Sequence, residues 1–207
     1  MKKIKGVIWI LLLVSVVFAK EDADALLRDV KKTYDEHKNL AIDFSQKFLW
    51  NMTGEQVGMS GKIFIQDGEK FKIETPDNLV VNDGKTLSTL NYTNQQVIVN
   101  TADKDGGDHP FLKDFIEKYI QEYNAEWIDE QDNVAHLKLK AKSQDEFIHT
   151  IELYIDTKTD FIKEVVQYDA NDNVTTYSVD AIDTQVQLTA SDFKIPDIEK
   201  YEVIDMR

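Results

Sequence analysis

From Asp22 to His37 apolar residues recur three and four apart, at Ala23, Leu26, Leu27, Val30 and Tyr34, with charged residues between them. That spacing draws one apolar stripe along an amphipathic helix. After Asn39 the period drops to two. In LAIDFSQKFLW, residues Ile42, Phe44, Phe48 and Trp50 share one face, while Asp43, Ser45 and Lys47 share the other, as in a strand with one buried side. The alternation returns in short pieces: GKIFI around Ile63, KFKIET around Phe71 and Ile73, LVV at 79–81, TLSTLNY at 86–92 and QVIV at 96–99. Asp67-Gly68, Asp77-Asn78, Asp83-Gly84 and Asn94 punctuate them, each tolerant of positive φ or able to bond its own backbone. The pattern predicts an antiparallel meander.

DKDGGDH at 103–109 reads as a loop, and Pro110 then opens PFLKDFIEKYIQEY. There Phe111, Phe115, Ile116, Tyr119, Ile120 and Tyr123 fall at helical spacing, so a second amphipathic helix interrupts the strands. The meander resumes with VAHLKLKA, EFIHTIELYID, DFIKEVVQYD and NVTTYSVDAI, and the chain closes with DFKIPDIEKYEVID. The reading is about eleven or twelve short strands and two main helices. With no linker, low-complexity tract or long-period repeat, it predicts a single domain over residues 20–207.

Residues 1–19, MKKIKGVIWILLLVSVVFA, have another character. Lys2, Lys3 and Lys5 precede an apolar run from Val7 to Phe18, and Ala19 offers a small residue for cleavage. This is the build of a secretory signal peptide, short and wrongly flanked for a membrane span, with an uncleaved anchor as the alternative. The sequence holds 24 basic and 38 acidic residues, and removal of the three lysines takes the formal net charge from −14 to −17. Such a balance repels phosphate backbones and anionic lipid surfaces, so no nucleic-acid partner is expected. The absence of cysteine removes both a disulfide-stapled scaffold and a lipid-modified cysteine as options for an exported chain.

Candidate chemistry is thin. Gly84-Lys85-Thr86 resembles the end of a phosphate loop, but the required earlier glycine is Leu79 and a strand pattern follows Thr86, so Asn82-Asp83-Gly84 reads as a hairpin turn with Gly84 at positive φ. Asp169, Asn171 and Asn173 copy the first ligands of a calcium loop, yet its sixth position is Val174 and its twelfth Asp180; without the glycine the loop cannot turn sharply enough. His136 and His149 are candidates for cross-strand neighbours, but no carboxylate at ligand spacing points to a metal site. There is no cysteine and no Gly-x-Ser-x-Gly, so no nucleophile is signalled and neither an enzyme nor a cofactor is expected. The sequons at Asn51, Asn91 and Asn173 carry no functional weight.

What remains is the aromatic content of the strands, which either fills a closed core or lines an incomplete barrel holding a lipid. Three stretches bear on this choice: DFSQKF at 43–48 after the first helix, GKIFIQDGEKFKIETPDNLVVNDGKTL at 61–87, and FIHTIELYIDTKTDFIKEVVQYDANDN at 147–173. In order and spacing they resemble the periplasmic outer-membrane lipoprotein carrier family, LolA, and DFKIPDIEKYEVI at 192–204 is similar to that family's closing F-x-x-P segment. The resemblance implies an eleven-stranded antiparallel half-barrel, an incomplete β-barrel covered by helices, whose cavity takes lipoprotein acyl chains. It further implies a monomeric periplasmic carrier that collects acylated lipoproteins from an inner-membrane ABC transporter complex and passes them to an outer-membrane receptor. A binder of another lipid, or a periplasmic sensor domain, is the alternative on the same fold. Phe44, Phe48, Ile63, Ile65, Phe71, Ile73 and Leu90 would then line the cavity from the strands, and Leu27, Val30, Tyr34, Phe111 and Phe115 from the helices. Alternation identifies a buried face without saying what it touches, so a closed core is the competing reading for each. One position departs from the family: a lid-locking arginine commonly follows the strand matching GKIFI, and here Asp67 stands there, with Gly68 in place of the usual proline. An aspartate cannot supply a guanidinium's donors to helix carbonyls.

Overall fold

Asp22 caps the first helix, α1 (Ala23–Glu36). Its carboxylate accepts from the backbone N–H groups of Asp24 and Ala25 at 3.1 and 3.2 Å, satisfying two donors that the first turn leaves open. Lys31 and Asp35, one turn apart, are joined at 2.7 Å on its solvent side. The predicted stripe is the buried one: Ala23, Leu26, Leu27, Val30 and Tyr34 all face the sheet side. The computed structural model describes residues 22–67, 70–102 and 113–207; the signal-like segment, Gly68 and Phe111 lie outside them.

Twelve strands follow. Before the second helix, α2 (Lys113–Glu122), come β1 (Asn39–Leu49), β2 (Gln56–Gln66), β3 (Lys70–Glu74), β4 (Asn78–Asn82), β5 (Thr86–Asn91) and β6 (Gln96–Thr101). After it come β7 (Tyr123–Gln131), β8 (Val134–Ala141), β9 (Ile148–Asp156), β10 (Phe161–Asp169), β11 (Val174–Asp183) and β12 (Glu202–Asp205). They form one open sheet in the order β12-β6-β5-β4-β3-β2-β1-β11-β10-β9-β8-β7. Two meanders thus meet where β1 pairs with β11, and the sheet ends at β7 and β12 without closing into a barrel. Neighbours run antiparallel except β12, which lies parallel to β6 from Glu202↔Gln96 to Asp205↔Val99.

Three details differ from the sequence pattern. β7 is a full strand where the sequence reading places none, because its alternation, Tyr123, Ala125 and Trp127 against Asn124 and Glu126, is short and runs directly on from the helical pattern. Tyr123, expected on the helix, is the first residue of that strand. β2 also begins at Gln56, five residues ahead of the apolar GKIFI, since residues 56–60 are exposed and leave no burial pattern to read.

The helices cover one face, here called inner, chiefly over β7 and β10. Strand parity divides the apolar residues between the faces. Ile63, Ile65, Phe71 and Ile73 belong to the inner cluster with α1, α2 and β8–β10, whereas Leu79, Val81, Leu90, Val97 and Val99 form a second cluster on the outer face. Phe193 and Ile195 of the C-terminal segment cover that outer cluster.

Candidate functional site

The inner face is built by register. Leu40, Ile42 and Phe44 of β1 stand opposite Ile65, Ile63 and Gly61 of β2, and Ile63 and Ile65 stand opposite Ile73 and Phe71 of β3. On the other wing Val165 faces Leu153, which faces Leu137. Glycine is required at 61: an added Cβ would lie 2.5 Å from the Glu74 carbonyl oxygen and 2.9 Å from the Phe44 ring. Phe44 is fully buried over that gap.

Of the proposed lining residues, Leu27, Val30, Tyr34, Phe44, Ile63, Ile65, Phe71 and Ile73 come together in this inner cluster, and Phe115 of α2 packs against it half-buried. Leu90 does not join them. Leu90 pairs with Leu79 and Val97, so the one-residue alternation turns it to the outer face beneath Phe193, and its neighbour Leu87 packs inward instead. Phe48 lies on the inner parity of β1 but beyond the buried cluster, its ring edge-on to Trp50 at 4.5 Å.

From Phe48 onward the inner face is uncovered. Val57 and Met59 of β2, opposite Phe48 and Gln46, are 49% and 42% exposed, and Trp50 is 38% exposed. Along β2 the face therefore runs from fully buried residues to open apolar ones, while on β1 Gln46 lies between Phe44 and Phe48; isolated exposed apolar residues would need no explanation. Val57 and Met59 escape sequence reasoning because their strand, QVGMSG, alternates apolar with glycine and serine rather than with charge. The β8–β10 lining, with Leu137, Leu139, Ile151 and Leu153, is legible as strand pattern but not as part of this face.

Several polar groups sit under the helices. The indole nitrogen of Trp127 is buried without a hydrogen-bond partner, at a cost of roughly 1–3 kcal/mol. Burial pushes the Tyr34 hydroxyl far above the ordinary tyrosine value, offset only in part by the Ile162 backbone. Tyr119 is raised strongly by the same cause, with Gln167 donating to its oxygen at a long 3.5 Å. Tyr123 is pushed up to about 12 by burial and by nearby Glu146 and Glu122, and its hydroxyl donates to the Ile148 carbonyl at 2.8 Å. Phe115, Tyr119 and Tyr123 stack edge to face at 4.4 and 5.8 Å, a ladder that fastens α2 to the start of β7.

The weaker motifs resolve as structure. In NDGKTL, Gly84 has φ 89°, its N–H donates to the Asn82 side chain, and Asp83 accepts from the N–H groups of Lys85 and Thr86, all at 2.8 Å. The carboxylate of Asp169 accepts from Asn171 N–H and from both the N–H and the side-chain amide of Asn173 at 2.7–3.0 Å, which ties the loop to itself. Burial alone would raise this carboxyl; the Asn173 side chain and the two N–H groups outweigh that and hold it below the usual aspartate range. His136 and His149 are not cross-strand neighbours: His136 stacks on Tyr154, and His149 contacts Thr150 and Asp172. Asp67, at positive φ, donates its N–H to the Lys38 carbonyl at 2.8 Å and pairs loosely with the Lys38 ammonium at 3.8 Å. Closure of the helices over the sheet therefore rests on packing by Leu27, Val30, Ile116 and Tyr119.

Among the described residues no group of histidines and carboxylates gathers into a metal-binding cluster, and no helix is long and apolar enough to cross a membrane. Residues 35–196 match the family model described as "Outer membrane lipoprotein carrier protein LolA". No curated protein matches the chain. An uncharacterized conserved protein from Thermus thermophilus shares the fold with a TM-score of 0.61 at 14% identity, over 88% of this chain and 98% of that one. MucB gives 0.52 at 13% identity, over 88% of this chain and 65% of its own. A LolA superfamily protein from Nitrosomonas europaea aligns at 0.45 and 8% identity, over 84% and 97%.

Proposed function

The chain belongs to the outer membrane lipoprotein carrier protein LolA family, and from that premise we propose that it is an exported carrier that holds the acyl chains of a lipoprotein on the inner face of its open sheet. The observation that carries the reading is the continuity of that face along β2. It passes from the buried cluster under α1 and α2 to the half-buried Phe48 and the exposed Trp50, Val57 and Met59, so an acyl chain entering at the open end would extend the existing apolar surface. Burial of a lipid chain contributes about 0.8 kcal/mol per methylene, on the order of 12 kcal/mol for a long acyl chain. The inner face is filled by the helices in this state, so loading requires α2, the smaller of the two covers, to lift. The orphan indole N–H of Trp127 lowers the cost of that motion, because opening returns it to a partner. Residues 1–19 would direct export, and delivery would run from an inner-membrane ABC transporter complex to an outer-membrane acceptor.

Native mass spectrometry of the exported protein tests this directly. Co-purified acyl-bearing species, and extraction of acylated lipoprotein from spheroplasts by the delipidated chain, are the expected results. A chain that takes up no acyl species would refute the carrier reading, and one that extracts only a non-lipoprotein lipid would make it a carrier of that lipid.

A further inference from the structure

The register of the sheet leaves a gap beside β2. β1 pairs with β2 along its whole length, from Asn39↔Gln66 to Leu49↔Gln56. β3 pairs with it only from Gln66↔Lys70 to Lys62↔Glu74. Among the described residues no strand lies against residues 56–61 on the side away from β1, and residues 56–60 are exposed. The track of β3 is cut short at Thr75-Pro76. Thr75 donates both its N–H and its hydroxyl to the Asn78 carbonyl at 2.9 and 3.1 Å, and its hydroxyl oxygen accepts from Asn78 N–H at 3.1 Å. This turn swings the chain away, and proline has no N–H with which to continue a ladder.

The other sheet edges are blunted and this one is not. The free edge of β7 carries Glu126, Asp129 and Glu130 and a register shift between Trp127 and Asp129. β12 is four residues long and carries Glu202 and Asp205. Charges, bulges and shortness are the usual protections of an edge. QVGMSG at 56–61 has no charge and no proline.

Where β3 departs there is a cavity of about 440 Å³, whose lining includes Ser60, Gly61, Lys62, Glu74, Asp43 and Asp180. Asp43 is paired with Lys62 at 3.0 Å and Glu74 with Lys72 at 2.8 Å. Asp180 is the extra residue where β11 slips against β1, between Val179 opposite Phe44 and Ala181 opposite Asp43, and it has no ion pair among the described residues. A bulge of this kind re-aims a side chain. It leaves the notch with one carboxylate that no lysine neutralises.

We propose that this notch is a β-augmentation site for an extended segment of a partner polypeptide. The segment adds antiparallel to β2 in the track that β3 vacates. Main-chain hydrogen bonds supply its affinity and alternate side chains its specificity. Opposite Ser60, which shares the parity of Lys62 and Asp43, it carries a basic residue directed across the notch. Opposite Met59 and Val57 it carries apolar residues, and opposite Gly58 a small polar one. The recognised order is therefore basic, apolar, polar, apolar. A second copy of this chain is a poor occupant, since its net charge of −14 repels its like. The proposal shares Met59 and Val57 with the open end of the inner face but does not require lipid to be bound.

The test uses the full exported chain and a blocked, fluorescein-labelled peptide reading Thr-Lys-Val-Thr-Val-Thr. Two companions are needed, one with glutamate for lysine and one N-methylated on the edge that would face β2. Anisotropy should show the parent peptide binding, the glutamate peptide about tenfold weaker and the N-methylated peptide not binding. Amide exchange of residues 56–61 should slow with the parent peptide. Asp180→Asn should shrink the lysine preference while leaving the N-methyl effect intact. The proposal is overturned by failure of the parent peptide to bind, by equal binding of the N-methylated peptide, or by protection at β7 instead. It is equally overturned by sedimentation showing that the chain dimerises through 56–61.

Discussion

Gly61 is where one residue sets the geometry of the inner face. A methyl group there meets the Glu74 carbonyl at 2.5 Å and Phe44 at 2.9 Å, whereas at Gly58 the nearest atom is 3.4 Å away. Gly61→Ala should therefore lose about 1–3 kcal/mol in urea denaturation, with Gly58→Ala close to neutral. Asp169 gives a pH prediction with a definite sign. Its carboxyl is held below the usual aspartate range by Asn173 and Asn171 despite burial. Its stabilising contribution is accordingly complete above the unfolded value of about 3.9 and is lost as pH falls through the lower folded value. Asp169→Asn should flatten the loss of stability below about pH 4, measured as melting temperature against pH. The same loop shows what a sequence can disclose at this scale. The missing glycine at Val174 removes the calcium reading, and the fold shows why the asparagines are there.

α2 is the element whose attachment matters most for the proposed carrier. Its described buried side chains are Ile116 and Tyr119, and the aromatic ladder continues to Tyr123 in β7. Ile116→Ala should cost about 2–4 kcal/mol of local stability. Hydrogen exchange at residues 115–122 should then quicken while the β8 and β9 amides keep their protection. Equal loss of protection across the sheet would mean that α2 is an inseparable part of the core and not a lid. The helical spacing announces α2, but it extends that element through Tyr123, where the chain has already become a strand. Helix and edge strand share too few buried positions for periodicity to locate the junction.

Among the described residues two apolar clusters lie back to back on one sheet, and the proposed carrier gives them different duties. Phe193→Ala should destabilise the outer cluster by about 3–5 kcal/mol in thermal melts. Acyl uptake on the inner face should persist at temperatures where that variant is folded. If uptake disappears there, the faces are coupled and Leu90 regains a place in the lipid reading. The strap formed by Phe193 and Ile195 is also the closing F-x-x-P segment of the family resemblance, which gives that segment a structural task distinct from cargo.

The sequence by itself determined the order of elements apart from β7, the apolar stripe of α1, the turn at Gly84 and the family, because periodicity and turn chemistry are local properties written in neighbouring residues. Only the tertiary structure decided which face each strand presents to which partner. Leu87 and Leu90 lie three residues apart and so on opposite faces of β5, and no local signal records which of them turns inward. The open end of the inner face, from Phe48 to Met59, and the unpaired edge of β2 are likewise products of unequal strand lengths. They arise where β3 stops at Glu74 while β1 and β2 run on, and that mismatch exists only once distant segments are paired.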